Sequence, residues 1–369
     1  MTAPFLWCFS MMASALTLDT VAWLLALGTP SRTDAARCAP VTSPPDAQQL
    51  LAALLMHGVA PLALNHVSAF PALQALEPPL RAAQADNARR ALTCVKQLTG
   101  IGQAFDAAKV TWCVLKGVPL ALRHYGDLAA RRVGDIDILV APDQVAVADT
   151  VLRECGWHRA GPQGQGPLPA PHYWHEQRYS DSDGLTLELH HRPHPNPHLL
   201  ALPTATLLAR TERISLGSAA VPVLDRVSEL LYLSTHGCRH AWFRLLWVCD
   251  IAAVTATSSP AFMDATRVAA VELGLMQPLV QALMLAERLL GATAPAWAHA
   301  LHARSARQRR LQAFALESLW CARDAAGNPV QRTRSSLLTA LYQRTSPRFW
   351  AWELALRARH EHQHRLATA

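Results

Sequence analysis

Seven residues at positions 134–140, with the sequence GDIDILV, constrain this chain more than any other segment. Successive side chains of a β-strand point to opposite faces of the sheet. Ile136 and Ile138 then share one face, and the carboxylates of Asp135 and Asp137 lie side by side on the other. Two carboxylates that close repel each other and are costly to bury without a compensating charge. The segment therefore predicts a β-strand that presents an acidic pair to a divalent cation.

A second strand with a carboxylate on its polar face is predicted further along the chain. In LTLELHH, at positions 185–191, the leucines alternate with Thr186, Glu188 and His190. The leucines predict a buried face, and Glu188 lies on the opposite face. Paired metal ions that catalyse an in-line phosphoryl displacement are held by such carboxylates. Glu188 is therefore predicted to be the third carboxylate of the site.

A lysine and a glycine precede the acidic pair by one helix. VTWCVL, at positions 110–115, predicts a short buried strand, and PLALRHYGD, at positions 119–127, predicts a helix. Lys116 and Gly117 form the turn between them. Glycine lets the backbone approach a phosphate, the N-terminus of the following helix is electropositive, and lysine adds a point charge. With the acidic pair, this turn predicts a site for Mg²⁺ (or Mn²⁺) and a nucleoside triphosphate.

Helical periodicity dominates on both sides of this strand-rich region. DAQQLLAALLMHGVAPLALNHV, at positions 46–67, carries apolar residues at helical spacing, and the chain after Pro193 is again predicted to be helical. The predicted fold class is α+β. The predicted division is an N-terminal helical region at 1–108, a sheet domain at 109–198 and a C-terminal helical region at 199–369.

Composition and charge limit the partners and the compartment. The chain has 369 residues and a net charge of +7, but its basic residues in the C-terminal helices are not interleaved with aromatic residues, so nucleic acid is the least favoured partner. Eight cysteines are scattered singly, which predicts reduced thiols and a cytoplasmic protein. The apolar start lacks a basic region and contains Asp19, so a packed helix from about Thr17 to Gly28 is expected, with no signal peptide and no membrane span.

Three histidines have roles that the sequence leaves open. His236 and His240 are four residues apart on a predicted helix, so they face the same way. A structural role, contact with the substrate and metal binding all fit this spacing, although the glutamate of an HExxH zinc motif is missing after His236. His190 shares the carboxylate face of its strand and is a third possible substrate contact.

The order of turn, helix and acidic pair resembles the nucleotidyltransferase superfamily with a DNA-polymerase-β-like palm, whose signature is a Gly-Ser turn followed by a helix and DxD. It is most similar to a branch of uncharacterised bacterial nucleotidyltransferases with a Lys-Gly turn and the pattern R-x-x-G-D-I-D-x-L-V. The residues of that pattern here are Arg131, Gly134, Asp135, Ile136, Asp137, Leu139 and Val140. The resemblance extends over most of the chain, including LELHHRP and THGCRHAWFRLLWVCDIA.

This resemblance implies a small mixed β-sheet, the palm, flanked by N-terminal and C-terminal helical regions. It implies two groups of site residues: the metal ligands Asp135, Asp137 and Glu188, and the nucleotide-binding residues Lys116, Gly117, Arg131 and Gly134. Two departures from the superfamily are the Lys-Gly turn in place of Gly-Ser and a glutamate, Glu188, where aspartate is usual.

The implied reaction moves a nucleoside monophosphate from a triphosphate such as ATP to an acceptor hydroxyl or phosphate. The acceptor is not identified by the sequence, and a small molecule, a peptide or a protein side chain all fit. Two alternatives are kept: a catalytically inactive, nucleotidyltransferase-like interaction or regulatory module, and a glycosyltransferase that uses DxD to hold a metal and a sugar nucleotide.

Overall fold

A computed structural model of the chain describes residues 16–30, 43–160, 174–200, 202–217, 219–321, 339–344 and 346–368. Two compact units are present. One comprises Met1–Gln84 and Leu233–Ala369, and the other comprises Ala85–Tyr232. The second unit contains the predicted sheet, and the fold class predicted from the sequence is confirmed.

The sheet of the second unit is mixed and has seven strands among the described residues, in the spatial order β3-β4-β5-β2-β1-β7-β6. Strand β2 is parallel to β5, and β1 is parallel to β7, whereas the other neighbouring pairs are antiparallel. The strands are β1 (Trp112–Val114), β2 (Ile136–Val140), β3 (His158–Arg159), β4 (Glu176–Ser180), β5 (Thr186–His190), β6 (Thr211–Leu216) and β7 (Ala219–Leu224).

One face of this sheet is apolar and covered by two helices. Ile136, Ile138 and Val140 of β2 join Leu187 and Leu189 of β5 in one buried cluster. The helices Glu77–Ala107 and Val145–Glu154 contribute buried apolar side chains to the same cluster. The predicted alternation of the two strands is therefore confirmed, and their polar side chains are left on the opposite face.

The prediction that the chain is again helical after Pro193 is wrong for β6 and β7. Strands β6 and β7 form an antiparallel hairpin, and Gly217 in the turn has a φ of 64°. A left-handed conformation of this kind favours glycine and is a hairpin signal. Through β7, the hairpin pairs with β1, where Val114 lies opposite Val223.

Helices make up most of the first unit and also occur in the second. No helix in the described ranges is long and apolar enough to cross a membrane. Helices with residues in the second unit, besides the two named above, are Val118–Tyr125 and Thr204–Ala209. Helices of the first unit are Leu18–Gly28, Ala47–Met56, Ala60–Val67, Leu245–Ala256, Pro260–Glu272, Met276–Leu290, Ala296–Arg304, Ala306–Trp320 and Pro347–Thr368, and Arg226–Arg239 has residues in both units.

Candidate active site

The acidic pair and the third carboxylate meet on the polar face of the sheet. Parallel pairing of β2 with β5 puts Asp137 directly opposite Glu188. Asp135 precedes the first residue of β2, two residues before Asp137, and therefore lies at the same end. The side chain of Asp137 is only 1% exposed, whereas that of Asp135 is 36% exposed. One carboxylate of the pair is thus buried, and the other is open to solvent.

Lys116 pairs with both of these carboxylates from the turn that follows the neighbouring strand, β1. The Nζ atom of Lys116 lies 3.2 Å from Oδ1 of Asp135 and also donates to Oδ2 of Asp137. The backbone brings them together, because the amide of Leu115 donates to the carbonyl of Asp137 at 3.0 Å. The predicted turn therefore lies beside the acidic pair, and its lysine makes an ion pair with both carboxylates.

The ion pair between Lys116 and Asp137 keeps both side chains ionised. Burial alone would lower the pKa of Lys116, but Asp137 and Asp135 hold that pKa above its ordinary value. Burial alone would raise the pKa of Asp137, but Lys116 and His190 lower it to about 2. A buried ion pair of this kind offsets the desolvation cost of each charge only while both partners are present.

Gly117 gives the turn a conformation that only glycine adopts easily. Its φ and ψ are 88° and −128°, and it caps the helix Val118–Tyr125. A Cβ at this position would lie 3.5 Å from the carbonyl oxygen of Asp135. The requirement for glycine therefore comes from the backbone conformation more than from a steric clash.

Strand β4 supplies two charged residues that the sequence analysis missed. Antiparallel pairing puts Arg178 opposite Glu188 and Glu176 opposite His190. The Nε atom of Arg178 donates to Oε1 of Glu188 at 2.9 Å, and Nη2 lies 3.7 Å from Oε1 of Glu176. The signal that could have found them is the alternation in EQRYS, where Tyr179 is buried and the residues on either side face the other way.

Crowding of carboxylates changes the acidity of Glu188. Burial, together with the charges of Asp137 and Glu176, raises the pKa of Glu188 to about 7. Four carboxylates share this face with the permanent cations Lys116 and Arg178. Such an excess of negative charge, made of oxygen donors, suits a divalent cation of the Mg²⁺ or Mn²⁺ type. Ligand atoms of Asp137, Glu188 and His190 also lie within 4.8 Å of one another.

His190 lies between the carboxylates and is almost fully buried. Its Nε2 atom is 3.4 Å from Oδ1 of Asp137 and 3.7 Å from Oε2 of Glu188, and its Nδ1 atom is 3.6 Å from Oε2 of Glu176. Among the described residues, neither ring nitrogen makes a hydrogen bond of good geometry. Burial alone would lower the pKa of His190, but the three carboxylates around the ring raise it above its ordinary value.

The segment that leads into β2 is held by an asparagine of the helix Glu77–Ala107. The side-chain amide of Asn87 donates to the carbonyls of Ala129 and Arg131, both at 2.9 Å, and its oxygen accepts from the amide of Val133 at 2.8 Å. Arg131 itself is buried, and its Nη1 donates to the carbonyl of Arg132 at 3.1 Å. Asn87, which the sequence analysis did not single out, therefore fixes the course of the chain before Asp135.

Gly134 was predicted to bind nucleotide, whereas Tyr232 was not singled out by the sequence analysis. Gly134 is exposed, and its carbonyl accepts from Nη1 of Arg90 at 3.2 Å. Tyr232 is buried in the same unit, and burial with the charge of Asp137 raises its pKa well above the ordinary value. Its ring stacks on that of His194, with centroids 5.5 Å apart.

His236 and His240 lie in the first unit, within a cluster of aromatic rings. Their ring centroids are 4.8 Å apart, and each lies about 5 Å from the ring of Trp247, at 5.2 Å and 5.3 Å. Trp242 is fully buried, and its Nε1 atom donates to Oε1 of Gln281 at 3.0 Å, so this side chain belongs to the core of the unit. A role of the two histidines in contacting substrate stays a prediction.

Comparison with known proteins agrees with this arrangement. A family model described as an uncharacterised nucleotidyltransferase matches residues 43–291, about two thirds of the chain. No curated protein matches the chain. The matched range contains β1, β2 and β5 with the Lys116–Gly117 turn and the three carboxylates. The chain therefore belongs to a family of uncharacterised nucleotidyltransferases.

Proposed function

We propose that this protein is a metal-dependent nucleotidyltransferase that moves a nucleoside monophosphate from a triphosphate to an acceptor hydroxyl or phosphate. The observation that carries the proposal is the parallel register that sets Glu188 opposite Asp137, beside Asp135. Three carboxylates on adjoining strands, next to a Lys-Gly turn at a helix start, form the donor set that this chemistry requires.

Asp135, Asp137 and Glu188 are the proposed ligands of Mg²⁺ or Mn²⁺. Their oxygen donors and the excess of negative charge around them fit a hard divalent cation. When bound, the cation offsets the charge of the phosphate oxygens and orients the triphosphate. Arg178 holds one oxygen of Glu188, which restricts the rotamers of that side chain.

Lys116 and Gly117 are the proposed triphosphate-binding residues. The Nζ atom of Lys116 lies 3.2 Å from Oδ1 of Asp135, so its charge is close to any phosphate bound beside that carboxylate. The helix that follows the turn begins at Val118, and the N-terminus of a helix is electropositive. Arg131 and Gly134 are proposed to contact the nucleotide because they lie on the segment just before the acidic pair.

In the proposed reaction, an oxygen of the acceptor attacks the α-phosphorus. A new bond forms between that oxygen and phosphorus, the bond to the bridging oxygen of the β-phosphate breaks, and pyrophosphate leaves with the electron pair. The proton of an acceptor hydroxyl passes to a base at the site, for which Glu188 and the histidines are the candidates.

The first test is calorimetric binding of ATP, GTP, CTP and UTP to the whole protein, with and without Mg²⁺. We expect metal-dependent binding of at least one nucleotide, and its loss in the Asp135→Asn/Asp137→Asn variant. The matched control is Asp143→Asn, which changes an exposed aspartate in the short helix Pro142–Gln144 and should bind as the original protein does.

Turnover is tested separately, by release of pyrophosphate in the presence of pooled small molecules, peptides and proteins as acceptors. Release that depends on Mg²⁺ and on Asp137 supports the transferase and identifies the pool with the acceptor. Failure of folded protein to bind any nucleotide contradicts the proposal. Binding without release for every pool favours the inactive, nucleotide-binding module.

A further inference from the structure

A second group of potential metal ligands lies at the start of β4. Ligand atoms of His175, Glu176 and His190 all lie within 4.8 Å of one another. Oε2 of Glu176 is 3.0 Å from Nε2 of His175 and 3.6 Å from Nδ1 of His190. Zinc binds nitrogen and oxygen ligands at about 2.0–2.1 Å in tetrahedral sites, which separates neighbouring ligand atoms by roughly 3.3 Å. The distances of 3.0 Å and 3.6 Å from Oε2 of Glu176 to the two histidine nitrogens lie on either side of that value.

His190 contributes a buried ring nitrogen, Nδ1, to this group. The residue is 4% exposed, and its Nδ1 atom makes no hydrogen bond among the described residues. A buried polar atom left without a partner is unfavourable and calls for a ligand or an ion. Oε2 of Glu176 lies 3.6 Å from Nδ1, a separation that suits two atoms bound to the same ion.

The opposite nitrogen of His190 is placed as in carboxylate–histidine–metal arrangements. Nε2 faces Asp137 at 3.4 Å and Glu188 at 3.7 Å. A metal bound at Nδ1 displaces any proton from that nitrogen, and the proton on Nε2 then faces these two carboxylates. Asp137 and Glu188 would therefore orient His190 toward the side on which His175 and Glu176 lie.

The donor set differs in kind from that of the acidic pair. Two imidazoles and one carboxylate suit Zn²⁺ and similar transition metals, whereas Mg²⁺ prefers oxygen ligands. The side chains of His175 and Glu176 are 21% and 22% exposed, so solvent reaches the group from one side. Three protein ligands with a solvent-accessible fourth position are typical of catalytic or exchangeable zinc sites.

We propose that His175, Glu176 and His190 bind a zinc-type transition-metal ion at a site separate from that of Asp135, Asp137 and the nucleotide. The ion would hold the start of β4 to the end of β5 and fix the ring of His190 against Asp137 and Glu188. Occupancy of the zinc site then alters the surroundings of the carboxylate site through one shared imidazole. The inference goes beyond the proposed transferase activity and does not depend on it.

The test is a zinc titration of the metal-free, full-length protein against a chromophoric chelator, with Co²⁺ absorption spectra as an optical readout of coordination. His175→Ala and Glu176→Gln should each weaken Zn²⁺ binding at least tenfold and reduce the Co²⁺ bands. Asp135→Asn should keep the Zn²⁺ affinity and the Co²⁺ absorption bands of the original protein, because Asp135 is not part of the group. The matched control is His158→Ala, an exposed histidine of β3 in the same sheet.

Two results would overturn the zinc site. One is equal Zn²⁺ affinity in the original protein and in folded His175→Ala. The other is loss of Zn²⁺ binding in Asp135→Asn to the same degree as in His175→Ala, which would put the ion on the acidic pair.

A measurement that needs no substitution covers the case in which a variant fails to fold. X-ray absorption of the zinc-loaded protein should show scattering from two imidazoles. Scattering from one imidazole or none contradicts the proposal, because the carboxylate group contains a single histidine, His190. Nucleotide binding in Mg²⁺ alone is measured on the same samples, so failure of the transferase proposal is seen independently.

Discussion

Lys116 and Asp137 form an ion pair that is almost closed to water, with side chains 14% and 1% exposed. The lysine reaches across from the turn after β1, and the aspartate is the second of the acidic pair on β2. The positive charge of Lys116 therefore compensates the buried negative charge of Asp137 from within the protein. In the proposed metal site, a divalent ion would compete with Lys116 for the same carboxylates, and the stability of the sheet would then depend on the occupancy of the site.

Lys116→Met should destabilise the protein when divalent ions are removed by a chelator. It leaves the charge of Asp137 buried without its partner, which costs about 3 kcal/mol in the free energy of unfolding. Mg²⁺ or Mn²⁺ should restore part of that loss by taking the place of the cation. Urea unfolding with and without the metal measures both effects, and Lys96→Met, at an exposed lysine, is the control. Equal stability of Lys116→Met and the original protein in chelator would contradict the pairing.

Gly117→Ala should destabilise the turn and weaken nucleotide binding. An alanine resists a φ of 88° with a ψ of −128°, and the strain costs about 1–3 kcal/mol. Gly126→Ala, at the other end of the same helix, is the matched control, since its φ of 69° is also positive and a Cβ there meets nothing within 4 Å. Thermal unfolding and nucleotide calorimetry are measured on both. Equal loss of nucleotide affinity in the two variants would contradict a specific role of the Gly117 turn in nucleotide binding.

Gly237→Ala should destabilise the first unit through a steric clash. A Cβ at Gly237 would lie 2.6 Å from Cε3 of Trp242, whose indole is fully buried and cannot move aside. Overpacking of this kind costs about 1–3 kcal/mol. Gly100→Ala is the control, because Gly100 also lies in a helix but a Cβ there meets nothing within 4 Å. Alanine at Gly100 should be neutral or stabilising, and denaturant unfolding of the two variants gives the comparison.

Asp149 should make stability depend on pH in the acid range. It accepts hydrogen bonds from Nε and Nη2 of Arg159, both at 2.5 Å, and from the hydroxyl of Tyr179 at 2.6 Å. Burial alone would raise the pKa of Asp149, but these hydrogen bonds lower it below the ordinary value. The stabilisation is therefore present above the unfolded-state pKa of about 3.9 and is lost as the pH falls through the lower, folded-state pKa.

Asp149→Asn tests this pH dependence. We expect a loss of about 3 kcal/mol near pH 6 that shrinks as the pH approaches about 3, because the original protein loses the same contribution there. Urea unfolding at a series of pH values gives the difference. Asp143→Asn, at an exposed aspartate, should show no such trend. A difference between Asp149→Asn and the original protein that stays constant with pH would rule out a charged Asp149 as the cause.

Local patterns along the chain were enough to predict the strands that carry the three carboxylates. The alternation in GDIDILV and LTLELHH is a property of each strand alone, and burial of the leucines and isoleucines leaves only one face for the acids. The Lys116–Gly117 turn follows in the same way from the change between strand and helix periodicity. The family resemblance rested on these same residues, and the family match agrees with it.

Only the tertiary structure determined which side chains meet across strands. Pairing of β4 with β5 brings Glu176 and Arg178 beside Glu188 and His190, and no local pattern states which strand pairs with which. The β6–β7 hairpin was missed for a related reason, since short segments carry weak periodicity and gain their stability from pairing with β1. Register between strands distant along the chain is fixed by the packing of the whole sheet. The sequence therefore determined the acids and the lysine, and the fold determined that the lysine pairs with Asp135 and Asp137 and that the buried His190 lies between two groups of potential metal ligands.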